Sequence, residues 1–336
     1  MAQTVEEVLP GIFKIALPVP ISSLKTVFVY LFRDQDENLL IDTGWSGEES
    51  WNVLKAAFSE IGFNAKDLHK IVISHFHPDH FGLSSKLKKE APDSKLMIHK
   101  FDEEVIRGSK AEFEKFLRKL NDFMVVNGVP GSDLRKMMDA TAPFVKYIYP
   151  PKPNIRLNGD EKLSVGKFKF QVIWTPGHTK GNICMYDLGE SHVLFSGDHV
   201  LPTITPNVSL TPNYSGDPLG DYLASIDAVG KLDPVSKVLP SHEFVFENLG
   251  QRLVEIKRHH EDRLEDALNA LRSGKTISAY EVASKLHWYT GSWEKLSPWE
   301  KRAALMETLA HLQYLALRKK VKKITRGKKV YFSRAK

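Results

Sequence analysis

Three histidines and an aspartate fall within six residues in the stretch Ser74-His75-Phe76-His77-Pro78-Asp79-His80-Phe81-Gly82. Neutral imidazole and carboxylate are the usual ligands of zinc and similar divalent ions. The stretch therefore reads as part of a metal site rather than as a polar loop that happens to be rich in histidine. It follows Ile71-Val72-Ile73, short and β-branched enough to be a buried strand. His75 and His77 are two apart, so an extended backbone points both side chains the same way. Pro78 disfavours the α region for His77 and keeps it extended. Asp79 is then placed to turn the chain into a helix beginning near His80.

Other ligand-type residues recur downstream, each just after an apolar run. His178 stands in Trp174-Thr175-Pro176-Gly177-His178-Thr179-Lys180-Gly181-Asn182, Asp198 in Ser196-Gly197-Asp198-His199, and His242 in Pro240-Ser241-His242-Glu243. Asp42 ends the strand Asn38-Leu39-Leu40-Ile41 and precedes the turn residue Gly44. Side chains at successive strand ends converge on one edge of a β structure. His99, His199 and the pair His259-His260 read as surface or packing histidines. Cys184, the single cysteine, lies in the apolar segment Ile183-Cys184-Met185-Tyr186 and reads as a small buried hydrophobe, with no intrachain disulfide available.

The elements that must position these groups alternate. Strands are expected at 11–16, 25–33, 37–41, 70–74 and 95–99, with helices over 48–61 and from about His80 to Glu90. That alternation indicates an α/β unit. From Phe101 to Pro153 the pattern changes to two or three helices. Their apolar stripes are Phe113, Phe116, Leu117, Leu120, Phe123 and Met124, then Met137, Met138, Phe144 and Val145. They serve either as packing faces or as a lid over a site. Strands resume at 154–158, 162–174 (with a turn at Gly166), 182–187, 192–196 and 237–239, and a helix ends near Val229.

At 336 residues the chain is long enough for two domains, and its 42% hydrophobic and 26% charged residues are those of a soluble globular protein. No apolar run is long enough to cross a bilayer. The segment Met1-Ala2-Gln3-Thr4-Val5-Glu6-Glu7 lacks a basic region followed by an apolar core, so no secretory signal and a cytoplasmic location are expected. The net charge of +6 is uneven: Gln251 to Lys336 holds 20 basic against 9 acidic residues, and the preceding residues 27 against 32. The last nineteen residues, Arg318 to Lys336, hold ten basic side chains and no acidic one.

The motif series His75-x-His77-x-Asp79-His80, Gly177-His178, Gly197-Asp198 and His242, with Asp42 and Gly44 before it, resembles the metallo-β-lactamase superfamily over about residues 10–250. The resemblance implies an α/β (α+β) fold, an αββα sandwich with the metal site at one edge. It also implies that His75, His77 and His178 hold one ion, that Asp79, His80 and His242 hold a second, and that Asp198 bridges them. Seven ligand-type residues suit two ions about 3.5–4 Å apart better than one tetrahedral ion with an open position. Two divalent ions are expected, zinc first, with iron and manganese accepting the same ligands. Such a pair makes hydroxide available near neutral pH and needs no side-chain nucleophile, and by the same resemblance Asp79 and Asp198 are expected as the catalytic carboxylates. Asp42 is expected to orient a histidine or Asp79 rather than to bind metal. Two departures narrow the subclass. The principal zinc β-lactamases carry a cysteine ligand where this chain has Asp198, which points to the glyoxalase-II-like, lactonase-like and nuclease-like members. The family's common Pro-Gly-His-Gly is Pro-Ser-His-Glu here, without either glycine.

The expected organisation is a metal-hydrolase domain over 1–250 with a helical insert at about 101–153, a connector helix over 251–274, and a basic domain over 275–336. Ser297-Pro298-Trp299-Glu300 is a capping box with proline at the first helical position. The helix it starts carries Leu305, Leu309, Leu312 and Leu315 on one face, and a hairpin turning at Arg326-Gly327 follows. Helices followed by a basic hairpin resemble a winged helix. The function expected is hydrolysis of a small ester, thioester or lactone. The alternative is a metal-dependent nuclease or phosphodiesterase acting on single-stranded RNA through the basic end. A non-enzymatic binding protein is disfavoured by the complete ligand set. Substrate contacts are expected from Lys180, Phe113, Phe116, Tyr149 and Tyr214. The partners expected are the small-molecule substrate and a second copy of the chain, with nucleic acid as the alternative and no membrane.

Overall fold

The computed structural model describes residues 4–20, 24–35, 37–106, 110–145, 151–214, 216–272, 274–289 and 291–335, with the side chains at 110, 111, 113 and 141–145 left aside. Its first half runs β1 (Val5–Leu9), β2 (Ile12–Pro18), β3 (Thr26–Arg33), β4 (Asn38–Ile41), α1 (Glu48–Ile61), β5 (Lys70–Ile73), α2 (Pro78–Phe81), α3 (Ser84–Glu90) and β6 (Lys95–His99). Helices α4 (Lys100–Ile106), α5 (Lys110–Val126) and α6 (Gly131–Val145) follow. Next come β7 (Ile155–Leu157), β8 (Lys162–Val165), β9 (Phe168–Trp174), β10 (Ile183–Asp187), β11 (Val193–Gly197), α7 (Pro218–Val229) and β12 (Lys237–Pro240). The chain ends with α8 (Leu249–Ala270), α9 (Ala279–Ala283), α10 (Pro298–Leu317), β13 (Val321–Arg326) and β14 (Lys329–Arg334).

By backbone contacts the chain forms two compact units. One comprises Met1–Arg107, Tyr147–Pro206 and Asp227–Arg252, and the other Gly108–Lys146, Asn207–Ile226 and Leu253–Lys336.

The first unit holds two sheets. Strands β1 to β7 lie side by side in chain order, and β8 to β12 form the second sheet, also in chain order. One apolar cluster joins their facing sides. Phe28, Tyr30, Phe32, Leu39, Ile41, Val72 and Met97 come from the first sheet, and Phe168, Phe170, Val172, Met185, Phe195 and Leu239 from the second. Phe28, Tyr30 and Phe32 alternate along β3, which is how a strand aims one face inward. Edge-to-face rings bridge the two sheets, Phe32 with Phe170 at 4.9 Å and Tyr30 with Phe195 at 5.5 Å. Strand β4 is buried throughout, and on the same sheet α1, with Leu54 and Phe58 buried, packs on β2 and β1.

Direction matters more than order for the site. Strand β4 pairs β5 in parallel, so both end at one edge. In the second sheet β11 and β12 are parallel, while β9 is antiparallel to β10 and β10 to β11. Strands β9, β11 and β12 therefore also share an end.

The second unit contains the helical insert together with the C-terminal segments. Helix α10 packs on α6 and α9, and α5 packs on α6 and β14. Of the insert's apolar stripes, Leu120, Met124 and Met137 are buried and Phe116, Leu117, Phe123 and Met138 are half-buried. The Asn127 carbonyl accepts from the Tyr280 N–H at 3.2 Å, and the Tyr280 hydroxyl donates to Asp133. Gly128, at φ 99°, lies so close that a Cβ would stand 2.4 Å from Ser278. Capping boxes start α9 at Ser278 and α10 at Ser297, and Leu305, Leu309, Leu312 and Leu315 are buried.

Three local expectations differ. The helix expected over 80–90 is two helices, α2 and α3, with Gly82 ending the first. A Cβ on Gly82 would stand 2.3 Å from the Ser46 nitrogen and 2.7 Å from the Gly44 oxygen, so this turn is set by backbone packing invisible to periodicity. Helix α8 begins at Leu249, just ahead of the connector expected from 251. Strand β1 lies outside the expected strands, its burial being irregular.

Candidate metal centre

The histidine stretch leaves β5 as the sequence requires. His77 is extended, at φ −66° and ψ 144°, and α2 starts on Pro78. This puts His75 and His77 on the strand exit and Asp79 and His80 on the first helical turn. His178 lies in the loop after β9, Asp198 follows β11 and His242 follows β12. The shared edge of the two sheets thus collects all seven groups in the first unit.

They form two sets of side-chain donors, each within 4.8 Å of one another. The first is His75, His77, His178 and Asp198, and the second Asp79, His80 and His242. His77 Nδ1 lies 3.0 Å from both His75 Nε2 and His178 Nε2. Asp198 stands between the sets: Oδ2 is 3.6 Å from His178 Nε2 and from His80 Nε2, and Oδ1 is 3.5 Å from His242 Nε2. The Asp79 carboxylate lies 3.7 Å from His80 Nε2 and 3.5 Å from His242 Nε2.

For His75, His80 and His242 the other imidazole nitrogen is tied down, which fixes how those rings are aimed. His80 Nδ1–H donates to Asp42 Oδ2 at 2.7 Å. His242 Nδ1–H donates to the Thr26 carbonyl at 2.8 Å. His75 Nδ1–H donates to Ser74 Oγ at 3.0 Å, and that hydroxyl donates onward to Asp42 Oδ2 at 2.8 Å. The Ser74 N–H donates to Asp42 Oδ1 at 2.7 Å. Asp42 therefore steers one histidine of each set, His80 directly and His75 through Ser74. It does so from φ 59°, a conformation aspartate tolerates better than most residues.

These residues suit divalent cations. His80 Nε2, His242 Nε2 and Asp198 Oδ1 are buried and have no hydrogen-bond partner among the described residues, a costly arrangement unless something else coordinates them. His77 Nδ1 faces two imidazole nitrogens at once, and one proton cannot serve both where one cation can. The charges agree. Burial and the neighbouring His80 hold the His75 imidazole well below its usual range. Burial and His178 bring His77 down to about 3. Burial alone would raise Asp79, but His80 and His242 outweigh it and lower it to about 2. Burial opposes ionisation of Asp198 too, and His242 and His80 hold it well below the carboxylate range. Burial likewise opposes protonation of His80, and Asp198, Asp79 and Asp42 overcome it, so that without metal this ring holds a proton strongly. Metal binding then displaces protons.

Three residues hydrogen-bonded to the ligand-bearing segments or their neighbours carry no clear signal in the sequence. Ser74 relays Asp42 to His75. Glu243, in the place of the missing second glycine, adopts φ 71°, and its carboxylate takes the Thr203 N–H at 2.9 Å and the Ile204 N–H at 3.2 Å. Asp102, on α4, is fully buried and accepts from the Phe76 and Gly181 backbones and the Thr179 hydroxyl. Burial pushes it up to about 7 against those three donors. Its only mark in the sequence is an acid after a strand and a basic-aromatic pair, which is common.

Of the expected substrate contacts, Lys180 belongs to the first unit and Phe116 and Tyr214 to the second. Lys180 is exposed, with its ammonium 4.3 Å from the centre of the Phe101 ring. Tyr214 belongs to the second unit, is buried, and donates its hydroxyl to Asp221 at 2.9 Å. Phe116 is half-buried on α5. The Phe113 side chain and Tyr149 lie outside the described residues. Cys184 is buried on β10, and burial pushes its thiol up to about 12, so it offers no thiolate.

The chain is similar to known proteins in sequence and in structure. Residues 24–242 match the family described as the metallo-beta-lactamase superfamily. Over 328 residues, covering 96% of this chain and 97% of the relative, the sequence is 24% identical to the probable metallo-hydrolase YqjP of Bacillus subtilis (strain 168). It is 23% identical to a hydroxyacylglutathione hydrolase of Albidiferax ferrireducens over 69% of this chain and 68% of that one. The crystal structure of the metallo-beta-lactamase family protein TTHA1429 from Thermus thermophilus superposes with a TM-score of 0.82 at 29% identity, covering 97% of this chain and 99% of that one.

Proposed function

This chain belongs to the metallo-β-lactamase superfamily and is a metal-dependent hydrolase, and from that premise we propose that it uses two divalent ions to hydrolyse a small ester, thioester or lactone. The observation that carries the reading is the pair of adjacent donor sets with Asp198 between them. His75, His77 and His178 would hold one ion, and Asp79, His80 and His242 the other. Bound divalent ions, zinc foremost, supply activated water near neutral pH and polarise an acyl oxygen under attack.

The protein's own part is positioning and charge. Asp42 and Ser74 keep the His80 and His75 rings turned toward the centre. Asp79 and Asp198 stay ionised, so each keeps an oxygen able to ligate or to accept a proton. No thiol or hydroxyl nucleophile is needed. An acyl substrate accords with the relative named as a hydroxyacylglutathione hydrolase. A second reading, phosphodiester cleavage in single-stranded RNA, draws on the exposed cations Lys322, Lys323, Arg326 and Lys328 of the terminal hairpin.

Metal analysis of purified protein and a panel of p-nitrophenyl esters, acyl thioesters, lactones and single-stranded RNA test both. Two ions per chain and acyl turnover lost in Asp198→Ala are expected. Fully loaded protein that is silent on every acyl substrate overturns the first reading, and salt-sensitive RNA cleavage in its place establishes the second.

A further inference from the structure

Asp102 stands apart from the ligands yet connects the two segments that carry three of them. It is completely buried on α4, and no cation lies within ion-pair distance among the described residues. Burying a carboxylate without a counter-charge is costly unless its oxygens are well hydrogen-bonded. Here they are. Oδ2 accepts the Phe76 N–H at 2.9 Å and the Thr179 hydroxyl at 2.7 Å, and Oδ1 accepts the Gly181 N–H at 2.7 Å.

The identity of those donors gives the side chain its meaning. Phe76 lies between His75 and His77, and Thr179 follows His178. The strand exit from β5 and the loop between β9 and β10 come from different sheets. One carboxylate, delivered by a third element, spans them at the place where three imidazoles must meet. Gly181 is shaped to this contact: a Cβ there would stand 2.5 Å from Asp102 Oδ1 and 2.6 Å from the Asp102 nitrogen. Thr179 is itself buried, so its hydroxyl depends on Asp102 for its partner.

We propose that Asp102 is a positioning residue for the His75–His77–His178 set, fixing the spacing of its two supporting segments and thereby the affinity and ligand field of the ion held there, without touching metal or substrate. The proposal rests on the reading that these three histidines hold an ion. It separates the two donor sets: His80 and His242 are braced by Asp42 and the Thr26 carbonyl, so loss of Asp102 should reach one set and spare the other.

Metal-stripped wild-type, Asp102→Asn, Thr179→Val and His242→Ala proteins are titrated with Co2+, reading stoichiometry, affinity and visible absorption, with thermal melting of each stripped protein alongside. Asn presents an NH2 to groups that need acceptors, and Val keeps the shape of threonine while removing its hydroxyl. In Asp102→Asn one of two ions should bind roughly 10- to 100-fold more weakly, the scale of lost supporting contacts around a metal site. Thr179→Val should weaken the same ion several-fold. The surviving spectrum should lack the bands that His242→Ala retains, since that variant keeps the His75–His77–His178 set. A purely structural role would instead lower the melting temperature and weaken both ions alike, and that result overturns the proposal. So does wild-type affinity and absorption in both variants. Wild-type protein that takes up no Co2+ overturns the metal reading itself, and this proposal with it.

Discussion

Asp42 holds three groups at once, the Ser74 N–H, the Ser74 hydroxyl and His80 Nδ1, from a left-handed backbone conformation. Relieving the conformation and removing the contacts are separable. Asp42→Gly frees the backbone, worth about 1–2 kcal/mol, but loses every contact. Asp42→Asn keeps the conformation and turns donors toward donors. Both variants should bind metal at least about tenfold more weakly by competition with a chelator of known affinity. If Asp42→Gly binds as wild type does, the carboxylate is not what aims the rings. The ligands were legible because histidine and aspartate rarely crowd together at such density outside a metal site. Asp102 and Glu243 were not, because one acid in a helix or loop means nothing until the folded chain shows what it touches.

Helices carry the next set of expectations. The capping box at Ser297 starts α10, with the Ser297 N–H donating to Glu300 at 2.8 Å and the Glu300 N–H to Ser297 Oγ at 3.3 Å. Ser297→Ala should cost about 1 kcal/mol and lower the melting temperature by a few degrees in calorimetry. This motif was readable because cap chemistry is local. The contact between α8 and α10 was not. There the buried His260 Nδ1–H donates to His311 Nε2 at 3.1 Å, and His311 Nδ1–H donates to the Glu307 carbonyl at 2.8 Å. Burial lowers His311 from 6.5 to about 4, and burial with His311 beside it lowers His260 well below its usual range. Between pH 6.5 and about 4 the unfolded chain therefore binds more protons than the folded one. Stability is full above pH 6.5 and falls as pH drops through this window, by about 3 kcal/mol from His311 alone. Melting temperature measured from about pH 7.5 to 4.5 should show the decline, and His311→Gln should make it shallower. An unchanged slope in that variant would remove the histidine pair as its cause.

At the scale of the molecule, the insert's packing partners come from far along the chain. Helix α6 lies on α10, and Gly128 against Ser278, within one unit. A chain ending at Arg252 lacks most of α8 and all of α9, α10 and the terminal hairpin, and so removes the elements on which α5 and α6 pack, so Leu120, Met124 and Met137, buried in the full chain, should lose cover. It should bind a hydrophobic dye strongly and lose protection from hydrogen exchange over 110–145, whereas the full chain should not. Retained protection there would show that the insert folds without the C-terminal segments.

The sequence by itself determined the strand–helix alternation, the seven ligand-type residues and the family to which they point, because periodicity, caps and rare residue types act over a few positions. It also placed each ligand just past a strand. Only the tertiary structure decided that β4, β5, β9, β11 and β12 end at a common edge, since strand direction and pairing are long-range choices. The family resemblance already implied the division of the histidine stretch between two donor sets, and only the tertiary structure showed which groups Asp42 and Asp102 hydrogen-bond around them. Hydrogen bonds across 32 and 77 positions leave no trace in local pattern, because what selects them is burial, and burial exists only once the chain has folded.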